Sequence, residues 1–181
     1  MKIIAIAASV CLVFMAPGVV AQNTRSSDDT SGASIDQRLL DQEAAPIRSR
    51  AELQEYLKAM PARSPLKFLS PVNRERFLDS LVFSESGLAS YSYKDLAMEL
   101  TALEAYKVLS LFGQQSTVTL IPGLRQSDGF SKKIMSSIDS RERGSAVSPD
   151  QNKDPDYPDY ACVAKATCGQ SMGKICIGTN C

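Results

Sequence analysis

The chain has 181 residues and devotes 22% of them to charge, split evenly between 20 Lys and Arg and 20 Asp and Glu, with no His. This balance predicts no long-range attraction to nucleic acid or to anionic lipid. The absence of His excludes Ser-His-Asp and Cys-His catalysis and any His-ligated metal site.

At the start of the chain, Lys2, the uncharged stretch Ile3–Met15, the helix-breaking Pro17-Gly18 and then Val19-Val20-Ala21 have the parts of a secretory signal. Cleavage is expected after Ala21. An apolar run of about thirteen residues is too short to cross a ~30 Å hydrocarbon core, which needs ~20. Cys11 leaves with the leader, and no small-residue lipobox precedes it. The expected product has no integral membrane segment, is secreted or periplasmic, and loses only Lys2 among the charged residues. The leader would suit a bacterial exporter.

Residues 22–48 read as mostly disordered, since 22–33 are small and polar, with one short helix opening at Ser34 and stopped by Pro46. Residues 49–124 read as a small helical domain. Ser49 and Glu52 form an S-x-x-E box, with Leu53, Tyr56, Leu57 and Met60 behind it at i, i+3, i+4, i+7. Ser64-Pro65 and Ser70-Pro71 place a capping Ser before a Pro at the first helical position. Phe77, Leu78, Leu81 and Val82 share one side of the helix that Ser70 starts.

Residues 88–93 are ambiguous between loop and strand. Tyr93, Leu96, Ala97 and Leu100 then repeat the helical spacing, and Thr101 with Glu104 makes a further box. Ala105, Val108, Leu109 and Phe112 form the next stripe, with Gly113 as its cap. Thr117–Ile121 is β-branched and short, and is expected as a strand paired with 88–93 or as an extended cover on the helices. The fold class so read is mainly α: four or five short helices, with at most one short β pair. No Cys lies in this domain, so it is expected to fold without the remainder.

Residues 125–159 read as a polar, acidic linker, with Phe130, Ile134, Met135 and Ile138 giving one or two weak amphipathic turns. Within it Tyr157, and at its end Tyr160, are surrounded by Asp154, Asp156 and Asp159, which marks both as candidates for tyrosine modification. The alternative is a plain acidic spacer. Residues 160–181 form a Cys-rich tail holding Cys162, Cys168, Cys176 and Cys181. An even set in an exported chain reads as two disulfides, and three connectivities are open. Gly169, Gly173 and Gly178 supply turns that favour a crossed or nested knob over two local loops. The C-x5-C-x7-C-x4-C spacing has no close Cys pair, so no metal and no cofactor is expected.

Two Ser-x-x-Lys pairs, Ser64–Lys67 and Ser171–Lys174, lack the S-D-N and K-T-G elements that accompany this motif in serine β-lactamases. The acids Asp79, Glu85, Asp95, Glu99 and Glu104 would serve acid–base chemistry only if the fold paired two of them. The functional expectation is therefore a non-enzymatic interaction protein acting on a protein partner or a cell-surface target. The alternative is a precursor whose Cys-rich end is released as a bacteriocin-like or signalling peptide.

Overall fold

The computed structural model describes residues 37–144 and 156–181, with the backbone alone over 137–144. The expected leader (1–21), the polar stretch 22–33, the Ser34 cap and Asp154 lie outside the described residues.

Helix α1 covers residues 37–43 and ends before Pro46. Helix α2, Arg50–Lys58, starts at Ser49, whose hydroxyl accepts from the Glu52 N–H, and buries Leu53. A 3₁₀ turn, Pro65–Phe68, is capped by Ser64. Helix α3, Pro71–Asp79, brings Phe77 to the centre of the core, edge-on to Tyr91 at 6.3 Å and to Phe112 at 6.1 Å. The chain then forms a tight hairpin of β1, Val82–Ser84, and β2, Gly87–Ser92, joined by Glu85-Ser86.

Helices α4, Lys94–Glu99, and α5, Ala102–Ser110, are separate because the reciprocal capping box of Thr101 and Glu104 restarts the chain between them. Gly113 has φ +67°, and a Cβ there would fall 2.6 Å from the Gln42 Cα. Only glycine lets α1 lie this close. Helix α6, Gly129–Gly144, is far longer than the weak turns its pattern suggested. Its first turn is held by the Asp128 carboxylate, which accepts from the Ser131 N–H at 2.7 Å and from the Ser131 hydroxyl at 2.6 Å. That hydroxyl in turn accepts from the Leu103 N–H.

Strands β3, Tyr157–Ala164, and β4, Thr167–Cys176, form a second hairpin, and a 3₁₀ turn, Gly178–Asn180, follows. The four strands make one antiparallel sheet in the order β1-β2-β4-β3. β4 meets β2 through Ser90↔Cys176, Tyr91↔Ile175 and Ser92↔Lys174, and the Ile177 N–H extends the ladder to the Ala89 carbonyl.

The mainly α expectation is therefore corrected: the fold is mixed α/β, with a four-stranded antiparallel sheet. The added strands have one physical cause, and the one strand expected within the helical part is absent for another. The tail has few apolar residues, yet Ile175, Cys176 and Ile177 are all at most 1% exposed, so they join the core instead of building one of their own. The expected strand at Thr117–Ile121 is instead a 3₁₀ turn, Gln115–Leu120. Both edges of β2 are occupied, by β1 and β4, and the Thr117 hydroxyl bonds back to the Gln114 carbonyl at 2.7 Å. Such local side-chain bonds compete with a ladder.

Candidate binding groove at the hairpin tips

The β3–β4 hairpin is kinked where its register jumps from Tyr160↔Gln170 to Pro158↔Ile175, leaving extra residues on β4. Two left-handed residues make the kink: Asp159 at φ +63° and Gly173 at φ +82°. The Asp159 carboxylate accepts from the Gly173 N–H at 2.8 Å and from the Tyr93 hydroxyl at 2.7 Å. These bonds, the Gly173 one foremost, hold its carboxyl below the usual carboxylate range. The same contact, seen from the other side, raises the Tyr93 phenol.

Past the kink, the hairpin folds back and its tip reaches the last residues of the chain. The Ala166 N–H donates to the Cys181 carbonyl at 2.8 Å. Cys162 is bonded to Cys181, with Cα atoms 5.5 Å apart, and Cys168 to Cys176, with Cα atoms 6.0 Å apart. This is the nested pairing. Cys162 and Cys168 face each other across the ladder, yet each bonds elsewhere. The Cys168–Cys176 bridge joins two residues of one strand, which an extended strand could not allow, and the β4 bulge makes it possible. The Sγ atoms of Cys168, Cys176 and Cys181 lie within 4.8 Å of one another, so the two bridges are stacked.

The folded-back tip and the β1–β2 turn become the two walls of a groove of about 550 Å³. Val82, Phe83, Ser84 and Glu85 form one wall, and Cys162, Val163, Ala164 and Lys165 the other, with Gly178–Asn180 between them. Val163 is 65% exposed and Val82 38% exposed, so the rims are apolar and open to solvent. The groove is lined by one charge of each sign, Glu85 on the first wall and Lys165 on the second. The base is rigid: the Asn180 side chain is buried and donates to the Leu88 carbonyl at 2.9 Å, while its oxygen accepts from Gln42.

Behind the tip lies a second cavity of about 330 Å³, bordered by Tyr157, Tyr160, Ala166, Cys168, Gly178 and Cys181. Tyr157 and Tyr160, the candidates for modification, stand side by side on β3 with ring centroids 5.7 Å apart. Of the acids around them, Asp156 pairs with Arg38 of α1, and Asp159 is engaged in the kink. Burial pushes the Asp156 carboxyl up, and Arg38 opposes that shift without overcoming it.

The other candidate groups are placed in structural roles. The Ser64 hydroxyl caps the Leu66 N–H and accepts from Tyr56, while the Lys67 ammonium reaches the Ala62 carbonyl. Asp95 is buried against Arg76, Glu99 accepts from the Ser70 backbone and hydroxyl, and Glu104 closes its cap. Each of these three carboxylates faces donors. Ser171 and Lys174 fall on the β4 bulge.

Sequence reasoning missed Asp159, Gly173 and the β1–β2 turn as parts of one site. The signal that could have found the strand is Ile175-x-Ile177, a period-2 apolar pair beside Cys176. Comparison with known families, curated proteins and solved structures finds no match for this chain.

Proposed function

We propose that this is an exported, non-catalytic interaction protein that holds an extended segment of a partner in the groove between the β1–β2 turn and the disulfide-pinned hairpin tip. The observation carrying this reading is the groove itself. Its two walls come from two different hairpins, at residues 82–86 and 162–166, which are tied together by the shared sheet and by the Cys162–Cys181 bridge. Exposed apolar rims with one charge on each side suit a mixed polypeptide segment better than a small charged substrate.

The compartment reading draws support from two disulfides, which persist in oxidising surroundings. No helix among the described residues is long and apolar enough to cross a membrane. The interaction reading is preferred over release of a Cys-rich peptide because excision would pull Ile175, Cys176 and Ile177 out of the shared core.

The test is a photoreactive residue placed at Val163, with Met98, 64% exposed on α4, as the control position. Export in the native host should give one discrete adduct from position 163 and none from 98. The Val163→Arg protein should fail to compete for that partner. A discrete adduct from 98 alone would refute the groove.

A further inference from the structure

We propose that the two stacked disulfides are a thiol–disulfide exchange site, opened from the groove at Cys162 and relayed through Cys181 to the Cys168–Cys176 bridge. This goes beyond partner binding, because the incoming group can be any small thiolate. Three observations carry it. Cys162 and Cys181 both line the groove, so their bridge can be approached from solvent. The Cys181 sulfur lies within 4.8 Å of both sulfurs of the neighbouring bridge. Cys176 is fully buried, whereas Cys168 borders the second cavity.

A thiolate attacks the Cys162 sulfur, forming a mixed disulfide there and releasing Cys181 as thiolate. Lys165, on the same rim, is the positive charge that would favour approach of the anion. The Cys181 thiolate then attacks the Cys176 sulfur. The Cys176–Cys181 bond forms, the Cys168–Cys176 bond breaks, and the electron pair leaves on Cys168, which takes a proton from water. Cys168 is the better leaving group of the pair because its thiolate can be hydrated in the cavity it borders. Nothing beyond the incoming thiol is consumed, and that thiol ends bonded to Cys162. The hairpin tip is thereby freed from Cys181, and the groove loses one wall.

The probe is glutathione, added in limiting amount to the oxidised protein, followed by acid quench, alkylation and tryptic mapping. Cleavage after Lys165 and Lys174 separates residues 166–174, with Cys168, from 175–181, with Cys176 and Cys181. The expected product carries glutathione on Cys162, the alkyl tag on Cys168 and an internal bridge within 175–181. A tag that stays on Cys181, with 166–174 still bonded to Cys176, would overturn the relay. Glutathione appearing first on Cys168, with Cys162–Cys181 intact, would overturn the entry point. In a Cys168→Ser/Cys176→Ser protein the tag should shift wholly to Cys181. If that variant does not fold, the mapping of the unmodified protein still decides the matter.

Discussion

Asp159 and Gly173 face each other across the β3–β4 hairpin, both in left-handed backbone conformation, and the Asp159 carboxylate accepts the Gly173 N–H at 2.8 Å. This contact turns the hairpin back on itself. Without the turn, the Cys162 bridge would not reach Cys181 and the groove would have one wall. It also ties the hairpin to the helical part through the Tyr93 hydroxyl.

The contact should show itself as a pH dependence. Asp159 has a carboxyl pKa lowered by folding, so its contribution is present above the unfolded value, about 3.9, and is lost as pH falls through the folded one. Asp159→Asn should melt at lower temperature than the parent at neutral pH. The gap should close below about pH 4. A gap of the same size at pH 3 and pH 7 would mean that the carboxylate charge is irrelevant.

Gly173→Ala should destabilise through two separable effects. A left-handed backbone costs a residue with a Cβ roughly 1–2 kcal/mol. The added carbon would also sit 2.0 Å from the Lys94 Cε, so that side chain must move. Adding Lys94→Ala should recover the second effect and leave the first, measurable as a partial rescue in urea melts. Full rescue would show that the backbone conformation carries no penalty here.

The caps were readable because their physics is local. Ser49, Ser64 and Thr101 each accept from an N–H two or three residues on, so a four-residue window holds the whole interaction. The pairing Tyr91↔Ile175 links distant parts of the chain, and nothing local encodes it. β3 was harder still, because Pro158 and the left-handed Asp159 interrupt any strand pattern. Read by composition, DPDYPDY is an acidic spacer; in the fold, its Asp156 and Asp159 are both anchored. The groove was unreadable for the same reason, since its walls come from residues 82–86 and 162–166.

Because β4 closes the sheet, the helical part should depend on the tail. Ile177→Ala should cost about 2–5 kcal/mol, as much as Leu109→Ala, since both side chains are at most 1% exposed within one core. A chain ending at residue 155 should lose its cooperative melt, because Ala89 and Tyr91 on β2 would be uncovered. Circular dichroism melts check both. A sharp transition in the shortened chain would show that the helical part folds without the β3–β4 hairpin.

The Arg38–Asp156 pair ties α1 to the start of β3, and its two partners should respond to substitution with opposite signs. The Asp156 side chain is 5% exposed and its Oδ1 has no hydrogen-bond partner, whereas Arg38 is 34% exposed. Burial raises the Asp156 pKa despite the guanidinium, so its contribution to stability is fully present below the unfolded value, about 3.9. That contribution is lost as pH rises through the folded pKa. Arg38→Ala leaves the buried carboxylate unpaired. It should cost about 2 kcal/mol at pH 7, below the ~3–5 of a fully buried pair because Arg38 is partly solvated. At pH 4 the cost should shrink, since a protonated Asp156 needs no cation. Asp156→Asn removes the charge altogether, and at pH 7 it should be neutral or stabilising. Urea melts of both variants at the two pH values decide the point. A loss of stability from Asp156→Asn equal to that from Arg38→Ala at pH 7 would mean that the ion pair, and not burial of the carboxylate, governs this corner of the fold.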